Sequence, residues 1–432
     1  MRSLGVLRTL GGSFTIAFKE GPIARPVRPK SMQKHTNRRS FLKSSAIAAG
    51  AATVGVGLLA KELPGSAKEG PEENSGRLTP GDAALLRFAA AAEILETDFW
   101  VQYNELGGIP NTSEVPGGSG NPAYTSALQM LDADMAQYVH DNTDDEFTHQ
   151  NFLNAYLISK AADPVSLEAF RTLPGSTATG SSGKLRLTNL MQLTLDTSWW
   201  TRYRSSTHNP DLDPNFSFPQ AIPDLNKGQH TAIPRTDADT SDPNFLQVIA
   251  NTAGFHFPTI EQGGTTLYPA MAQRATHPEV LRILISIGPT ETMHFQTWAD
   301  KAGNAPQKTA VDPLTGVSVT FPDLNSSPFG GEDFQTNLIM PEPCPFISRK
   351  LPPCSVIRPT ETKDIAKGVV KFLTDMGLFI GQSPAFFALM NDLAEDADEA
   401  LSLSSITSST AVAARHFDSR RHSITAGLLI RK

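Results

Sequence analysis

The sequence predicts an all-α protein built on a four-helix bundle, with long loop insertions and a largely irregular C-terminal extension. Three observations lead there. Ala83 to Leu106 runs without an internal Gly or Pro and is rich in Ala, Leu, Phe and Glu, the composition of a strong helix. Further helix-compatible tracts follow as far as Ala302, separated by Gly- and Pro-rich stretches. Two of those tracts each carry a Glu-x-x-His pair, a spacing that a helix brings onto one face.

Composition narrows the function classes. A chain of 432 residues allows two or three domains, while 32 Gly and 32 Pro against 39% apolar residues forecast irregular stretches around a smaller folded unit. A formal net charge of -7 leaves no basic footprint for nucleic acid. Cys344 and Cys354 are the only cysteines, so one chain cannot assemble a thiolate zinc cluster or an iron–sulfur centre. Any metal must use His, Asp and Glu. The two cysteines could close one disulfide in an oxidising compartment or remain two loop thiols. No Walker phosphate loop, nucleophile elbow or zincin motif occurs.

At the amino terminus, Asn37-Arg38-Arg39-Ser40-Phe41-Leu42-Lys43 precedes a small, apolar, uncharged run from Ser44 to Ala60, the three-part order of an export signal. The run is too short and too rich in Ala and Gly for a stable transmembrane anchor. Met32 stands just before it as the expected translation start, with residues 1–31 an upstream leader, and Gly65-Ser66-Ala67 offers a cleavage point. Gly55-Val56-Gly57-Leu58-Leu59-Ala60 mimics a dinucleotide fingerprint but has no strand before it and no helix after it, so it belongs to the signal. The paired arginines with Phe41, Leu42 and Lys43 resemble a twin-arginine signal over residues 32–67, with Asn37 where Ser or Thr is commoner. That resemblance implies passage of a folded chain through the twin-arginine translocase to a periplasmic or extracellular destination, with a cofactor often loaded first.

A charged, turn-rich linker over 68–80 leads into the expected bundle at 81–303. Helix one is expected over Ala83 to Leu106, followed by an irregular loop at 107–122. The second tract runs from Ala123 to Ala162, with a break at Asp141-Asn142-Thr143. Gly175 to Gly183 separates it from a third helix over Leu185 to Ser205, and a Pro- and Asp-rich loop is expected over 206–264. The fourth tract spans Thr265 to Ala302, interrupted near Thr276-His277-Pro278 and kinked at Gly288-Pro289. In the extension at 304–432, Val-rich alternation at Val311 to Val319 precedes one or two helices, Lys363 to Leu378 and Ala385 to Leu401, and a loose Ser-rich end.

Glu146-Phe147-Thr148-His149 lies in the second tract and Glu291-Thr292-Met293-His294 in the fourth. At i, i+3 the two side chains of each pair stand side by side and can meet one metal ion. With 10 His in 432 residues, chance supplies fewer than one such pair, so two within helical tracts are informative. A two-metal site also needs one carboxylate from each remaining helix. Helix one offers Glu93, a charge amid small apolar residues that is costly unless paired, with Trp100 seven positions on. The third helix offers Asp196, with Tyr203 seven positions on.

At these residues the chain resembles the ferritin-like superfamily, specifically exported ferritin-like proteins related to the desiccation-associated group, over about Gly81 to Ala302. The resemblance implies a ferritin-like four-helix bundle with Glu93, Glu146, His149, Asp196, Glu291 and His294 as ligands of two metals and Glu146 and Glu291 as the bridging pair. It departs from the family pattern where Asp196 replaces Glu and in the length of its loops. Glu261, after Pro258 and before Gly263-Gly264, reads as a loop residue that could rival Asp196. Glu96 and Asp98 read as surface or supporting groups, His208, His230 and His256 as solvated, and Trp199, Trp200 and Phe295 as packing.

Mixed carboxylate and imidazole ligands suit iron, manganese or zinc. The resemblance favours two irons, with manganese as the alternative, and an oxidoreductase acting on dioxygen or peroxide, with Tyr156 or Tyr203 as packing groups or electron relays. It implies a monomer or dimer, because the long extension obstructs a cage. The alternative is a metal-free scaffold with a stress- or desiccation-related binding role.

Overall fold

The computed structural model describes residues 76–202, 208, 215–326, 348, 350–352 and 363–405. Contacts divide the chain into Met1–Glu69 and Gly70–Lys432, and every described residue belongs to the second unit. The leader, the export signal, most of the linker, Tyr203 and both cysteines lie outside the described residues. Among the described residues the fold is mostly helical, with a single two-stranded sheet. No described helix is long and apolar enough to cross a membrane.

Helix α1, Pro80–Gly107, begins where Thr79 accepts the Asp82 amide at 3.1 Å and Pro80 pre-sets the first turn. The short α2, Pro122–Leu128, and the long α3, Met135–Ser159, follow, and α3 packs along α1. The expected break at 141–143 is absent. Asn142 and Thr143 lie inside α3, and the Thr143 hydroxyl bonds back to the Val139 carbonyl at 2.6 Å. The chain breaks instead at 129–134, between α2 and α3.

The expected third helix at Leu185 to Ser205 is also absent. Leu187, Leu190 and Leu193 are spaced like a helix face, but the chain there is irregular and bent, with isolated bridges of Leu173 to Arg186 and Leu193 to His230. Buried Asp98 on α1 meets this stretch, where its carboxylate accepts the backbone amides of Leu187 and Thr188 at 2.9 Å each and the Thr188 hydroxyl at 2.7 Å. The segment is thereby tied to α1 at Asp98. Among the described residues of that stretch, only the single turn α4, Trp199–Arg202, is helical.

The loop expected over 206–264 ends early, because α5 spans Pro243–Ala272. Asp242 caps it through the Asn244 amide at 2.8 Å, and Pro258 and Pro269 lie inside it. Every residue from Phe245 to Glu261 is buried. A helix enclosed on all sides shows no amphipathic period, and its packing outweighs the poor propensity of its Gly and Pro. Helix α6, Pro278–Ala302, lies against α5, so close that a Cβ on Gly288 would meet Tyr268 Cβ at 2.7 Å. Buried Asp82 joins the two helix pairs, accepting from the Thr276 amide and hydroxyl at 2.8 and 2.6 Å.

Beyond the bundle region, β1, Lys308–Val311, pairs antiparallel with β2, Ser318–Phe321, and both strands touch α5. The described part of the extension is more regular than expected. Helices α7, Ile365–Asp375, α8, Pro384–Asp398, and α9, Ala400–Ser405, pack on the core, with α8 and α9 against α1. The Leu378 and Met376 carbonyls accept the Asn189 and Thr194 amides at 2.8 Å each, so the extension is laced to the irregular segment.

Candidate metal centre

Four helices converge on one buried cluster. Helix α1 contributes Glu93, α3 Glu146 and His149, α5 Glu261, and α6 Glu291 and His294. Ligand atoms of Glu93, Glu146, His149 and Glu291 all lie within 4.8 Å of one another, as do those of Glu146, Glu261, Glu291 and His294. Glu146 and Glu291 belong to both groups. His149 Nδ1 faces Glu146 Oε2 at 3.0 Å, Glu93 Oε2 at 3.3 Å and Glu291 Oε1 at 3.4 Å. On the other side, His294 Nδ1 faces Glu146 Oε1 and Glu261 Oε2 at 3.3 Å each and Glu291 Oε2 at 4.0 Å. The two imidazole rings stand 6.5 Å apart.

The outer ring nitrogens fix the tautomers. Thr290 donates its hydroxyl to the Ile287 carbonyl at 2.6 Å, so its oxygen is left to accept His149 Nε2–H at 3.3 Å. His294 Nε2 reaches Asp145 Oδ2 at 3.2 Å. In the neutral imidazoles both Nδ1 lone pairs then point at the carboxylates, the arrangement that metal-binding histidines use.

Several polar atoms here are buried without a hydrogen bond: Glu93 Oε2, Glu261 Oε2, both oxygens of Glu291 and His294 Nδ1. Such atoms are expensive to bury without a partner. Four ionised carboxylates with two neutral imidazoles balance two divalent cations, so the donor set fits a pair of oxygen- and nitrogen-liganded metals.

Without that charge the site keeps protons in its place. Burial pushes Glu93 up to about 7, and burial together with neighbouring carboxylates raises Glu96 and Glu291 well above the usual range. Glu261 is raised chiefly by burial. For His149 burial acts downward, but Glu93 and Glu146 outweigh it and hold the imidazole up at about 11. Glu146 is lowered in spite of burial, by its hydrogen bonds with His149 and His294.

Asp196 is not part of the cluster. It lies in the irregular segment with its side chain 47% exposed, bonded to the Ser198 amide at 2.9 Å and the Gln220 amide group at 2.8 Å. Glu261 stands where the missing carboxylate was expected. The flanking Pro258 and Gly263-Gly264 made it read as loop, yet Tyr268 follows it by seven residues, as Trp100 follows Glu93. That repeated carboxylate-aromatic spacing was the signal available.

The supporting residues also differ from expectation. The buried oxygen Oε1 of Glu96 has no hydrogen-bond partner, and the side chain lines a cavity of about 30 Å³ shared with Glu93, Gly263, Gly264 and Tyr268. Helix α7 closes that cavity with Val369, Phe372 and Leu373. The Tyr268 hydroxyl donates to Glu93 Oε1. Asp98 is a buried anchor paired with Arg171. His256 is on α5 and wholly buried, its Nδ1 2.8 Å from the Tyr103 hydroxyl, and burial pushes it down to about 3. His230 is buried against the Asp224 and Lys227 carbonyls at 2.9 Å each, and His208 stacks on Phe216 with ring centres 3.6 Å apart. Tyr156 donates to Glu279 at 2.6 Å in an outer groove of about 470 Å³ between α3 and α6 that contains none of the cluster residues.

Comparison with protein-family models, with curated proteins and with solved structures returned no match. The site is therefore read from its own geometry.

Proposed function

We propose that the chain is a ferritin-like, four-helix-bundle di-metal carboxylate protein of the bacterial envelope, holding two irons, or manganese in their place, and reacting with dioxygen or peroxide. The observation that carries this reading is the paired arrangement in which each histidine Nδ1 faces its own glutamate and two shared ones. Glu93 and His149 would hold one ion, Glu261 and His294 the other, and Glu146 and Glu291 both. Two reduced ions so placed supply two electrons together to a small oxidant. The chain's own residues serve that chemistry from the α1–α5 side. Gly263 and Gly264 line the small cavity of about 30 Å³ beside Glu93, and Gly264 also lets α5 approach Glu291, since a Cβ there would meet Glu291 Cγ at 2.8 Å. Glu96, whose buried Oε1 has no hydrogen-bond partner, faces that cavity, and Phe372 and Leu373 line it from α7.

Export through the twin-arginine translocase, a monomer or dimer rather than a cage, and a stress-protective setting belong to the same proposal. The competing scaffold reading draws on the ion pairs that His149 and His294 make with the carboxylates, but it leaves both Glu291 oxygens without a hydrogen bond. The test is metal content per chain, by inductively coupled plasma mass spectrometry, in the parent and in a His149→Ala/His294→Ala variant. About two irons or manganese ions in the parent, lost in the variant, are expected. No metal in either after anaerobic loading with ferrous or manganous ion sinks the reading and leaves the scaffold.

A further inference from the structure

The carboxylates have a second connection, leading away from the histidines. Asn142, buried one turn before Glu146 on α3, donates from Nδ2 to Glu146 Oε1 at 2.8 Å and to Glu261 Oε1 at 3.2 Å. Its Oδ1 accepts the indole N–H of Trp298 at 2.7 Å. An indole nitrogen only donates, so Trp298 fixes which way the amide faces. Trp298 is itself buried and meets the ring of Tyr138 edge-on, with centres 6.3 Å apart. Tyr138, one turn before Asn142, is 37% exposed.

A continuous row therefore runs from solvent through a phenol, an indole and an amide to one shared and one unshared carboxylate of the centre. Trp100 stacks on Trp298 with centres 5.2 Å apart, but its own indole nitrogen has no hydrogen-bond partner. Only Trp298 of this pair is wired to the carboxylates. Phenol and indole are the side chains that most readily give up a single electron while staying intact.

We propose that Tyr138 and Trp298 form an electron relay between a one-electron reductant at the surface and the metal-facing carboxylates Glu146 and Glu261. The relay rests on the di-metal reading. Two reduced metals would satisfy one hydrogen peroxide by themselves, so the relay serves a second, whose reduction to two waters takes two electrons, delivered singly by the relay, and two protons from solvent. Trp298 gives an electron towards the centre and is refilled from Tyr138. Its Nε1 proton stays in the bond to Asn142, because an amide oxygen is too weak a base to take it. Tyr138 releases its phenolic proton to solvent as it gives up its electron, and regains both from a donor of the ascorbate or reduced-redox-protein class.

The experiment loads the full chain anaerobically with ferrous iron and measures the bound metal. Each sample is then mixed, without added reductant, with hydrogen peroxide in excess of what its ferrous ions can reduce, frozen within milliseconds and read by electron paramagnetic resonance. A tyrosyl signal is expected in the parent, a tryptophanyl signal in Tyr138→Phe, and neither in Trp298→Phe at equal metal content. Samples that hold two irons yet show no protein radical in the parent, or the same radical in Trp298→Phe, overturn the relay alone. Samples that hold no iron overturn the di-metal reading and the relay with it. Tyr138→Phe, altered at a half-exposed position, keeps the test decisive if Trp298→Phe does not fold.

Discussion

Helices α1 and α5 face the centre from the same side, each presenting one buried glutamate with an aromatic ring seven residues on, yet their sequences share little. The interior of α1 is Ala-rich and carries neither Gly nor Pro between Asp82 and Leu106, so its propensity and its burial agree. Helix α5 carries Gly254, Pro258, Gly263, Gly264 and Pro269, and its burial overrides its propensity. The contrast shows what the extra glycines are for. At Gly264 the missing side chain lets α5 come close to the shared ligand Glu291, a contact for which α1 has no counterpart.

The sharpest way to break the comparison is to remove the α5 carboxylate. Glu261→Ala should lose at least one of the two metals, whereas Asp196→Ala should keep both, as metal analysis of the purified variants would reveal. Equal stoichiometry in the two would return the fourth carboxylate to the irregular segment.

A second contrast concerns what grips each helix. The outer end of α1 is held by buried charge, with Glu105 paired to Arg186 and both almost out of solvent. Arg186→Met strands the Glu105 carboxylate and should cost about 3–5 kcal/mol, read from the urea midpoint. No comparable penalty is expected from truncating exposed Leu281 or Ile285 on α6.

The glycine contrast itself predicts opposite signs. By propensity alone, Gly264→Ala should stabilise a helix by about 1 kcal/mol, but its Cβ enters the space of Glu291, so a loss of about 1–3 kcal/mol and weaker metal binding are expected instead. Ala92→Gly on α1 should cost about 1 kcal/mol, from backbone entropy. A stabilised Gly264→Ala protein with unchanged metal affinity would show that the close approach has no role.

A separate effect is protonic. The metal-free folded chain holds a proton on Glu93 up to about 7, whereas the unfolded carboxyl releases it near 4.5. The native state therefore binds more protons over that window, and the Glu93 contribution to metal-free stability falls as pH rises through it. His149, held up at about 11, acts over a higher range, with a contribution complete below 6.5 and lost as pH rises through 11. Metal ions must displace both protons, so affinity should rise with pH and loading at pH 7 should acidify a weakly buffered solution. Loading that releases no protons would exclude the imidazoles as ligands.

Helix α1 and the two Glu-x-x-His pairs were legible because they obey local rules. In α3 and α6 the spacing alone puts both partners of each pair on one face, and the structure brings Glu93, Glu146, His149, Glu291 and His294 together. Three things were not legible. The Leu187–Leu190–Leu193 spacing imitates a helix, but the stretch is irregular and tied to the distant Asp98 through two of its amides. Helix α5 was hidden because its Gly and Pro are interpretable only against neighbours such as Glu291, and a single chain does not disclose neighbours. The α7 cover over the small cavity was hidden for the same reason, since more than 90 residues separate Leu267 from Val369.

The enclosure of the carboxylates bears on how an ion would be selected. Glu146, Glu261 and Glu291 are wholly out of solvent and Glu93 is 1% exposed. Any ion held there would meet solvent chiefly past the two histidines, whose side chains are 11% and 12% exposed, so its exchange should be slower than at a surface site. Retention then depends on history more than on rank. At equilibrium copper and zinc would outcompete manganese or ferrous iron for such donors. Where exchange is slow, the ion loaded first has the advantage over the ion that binds best.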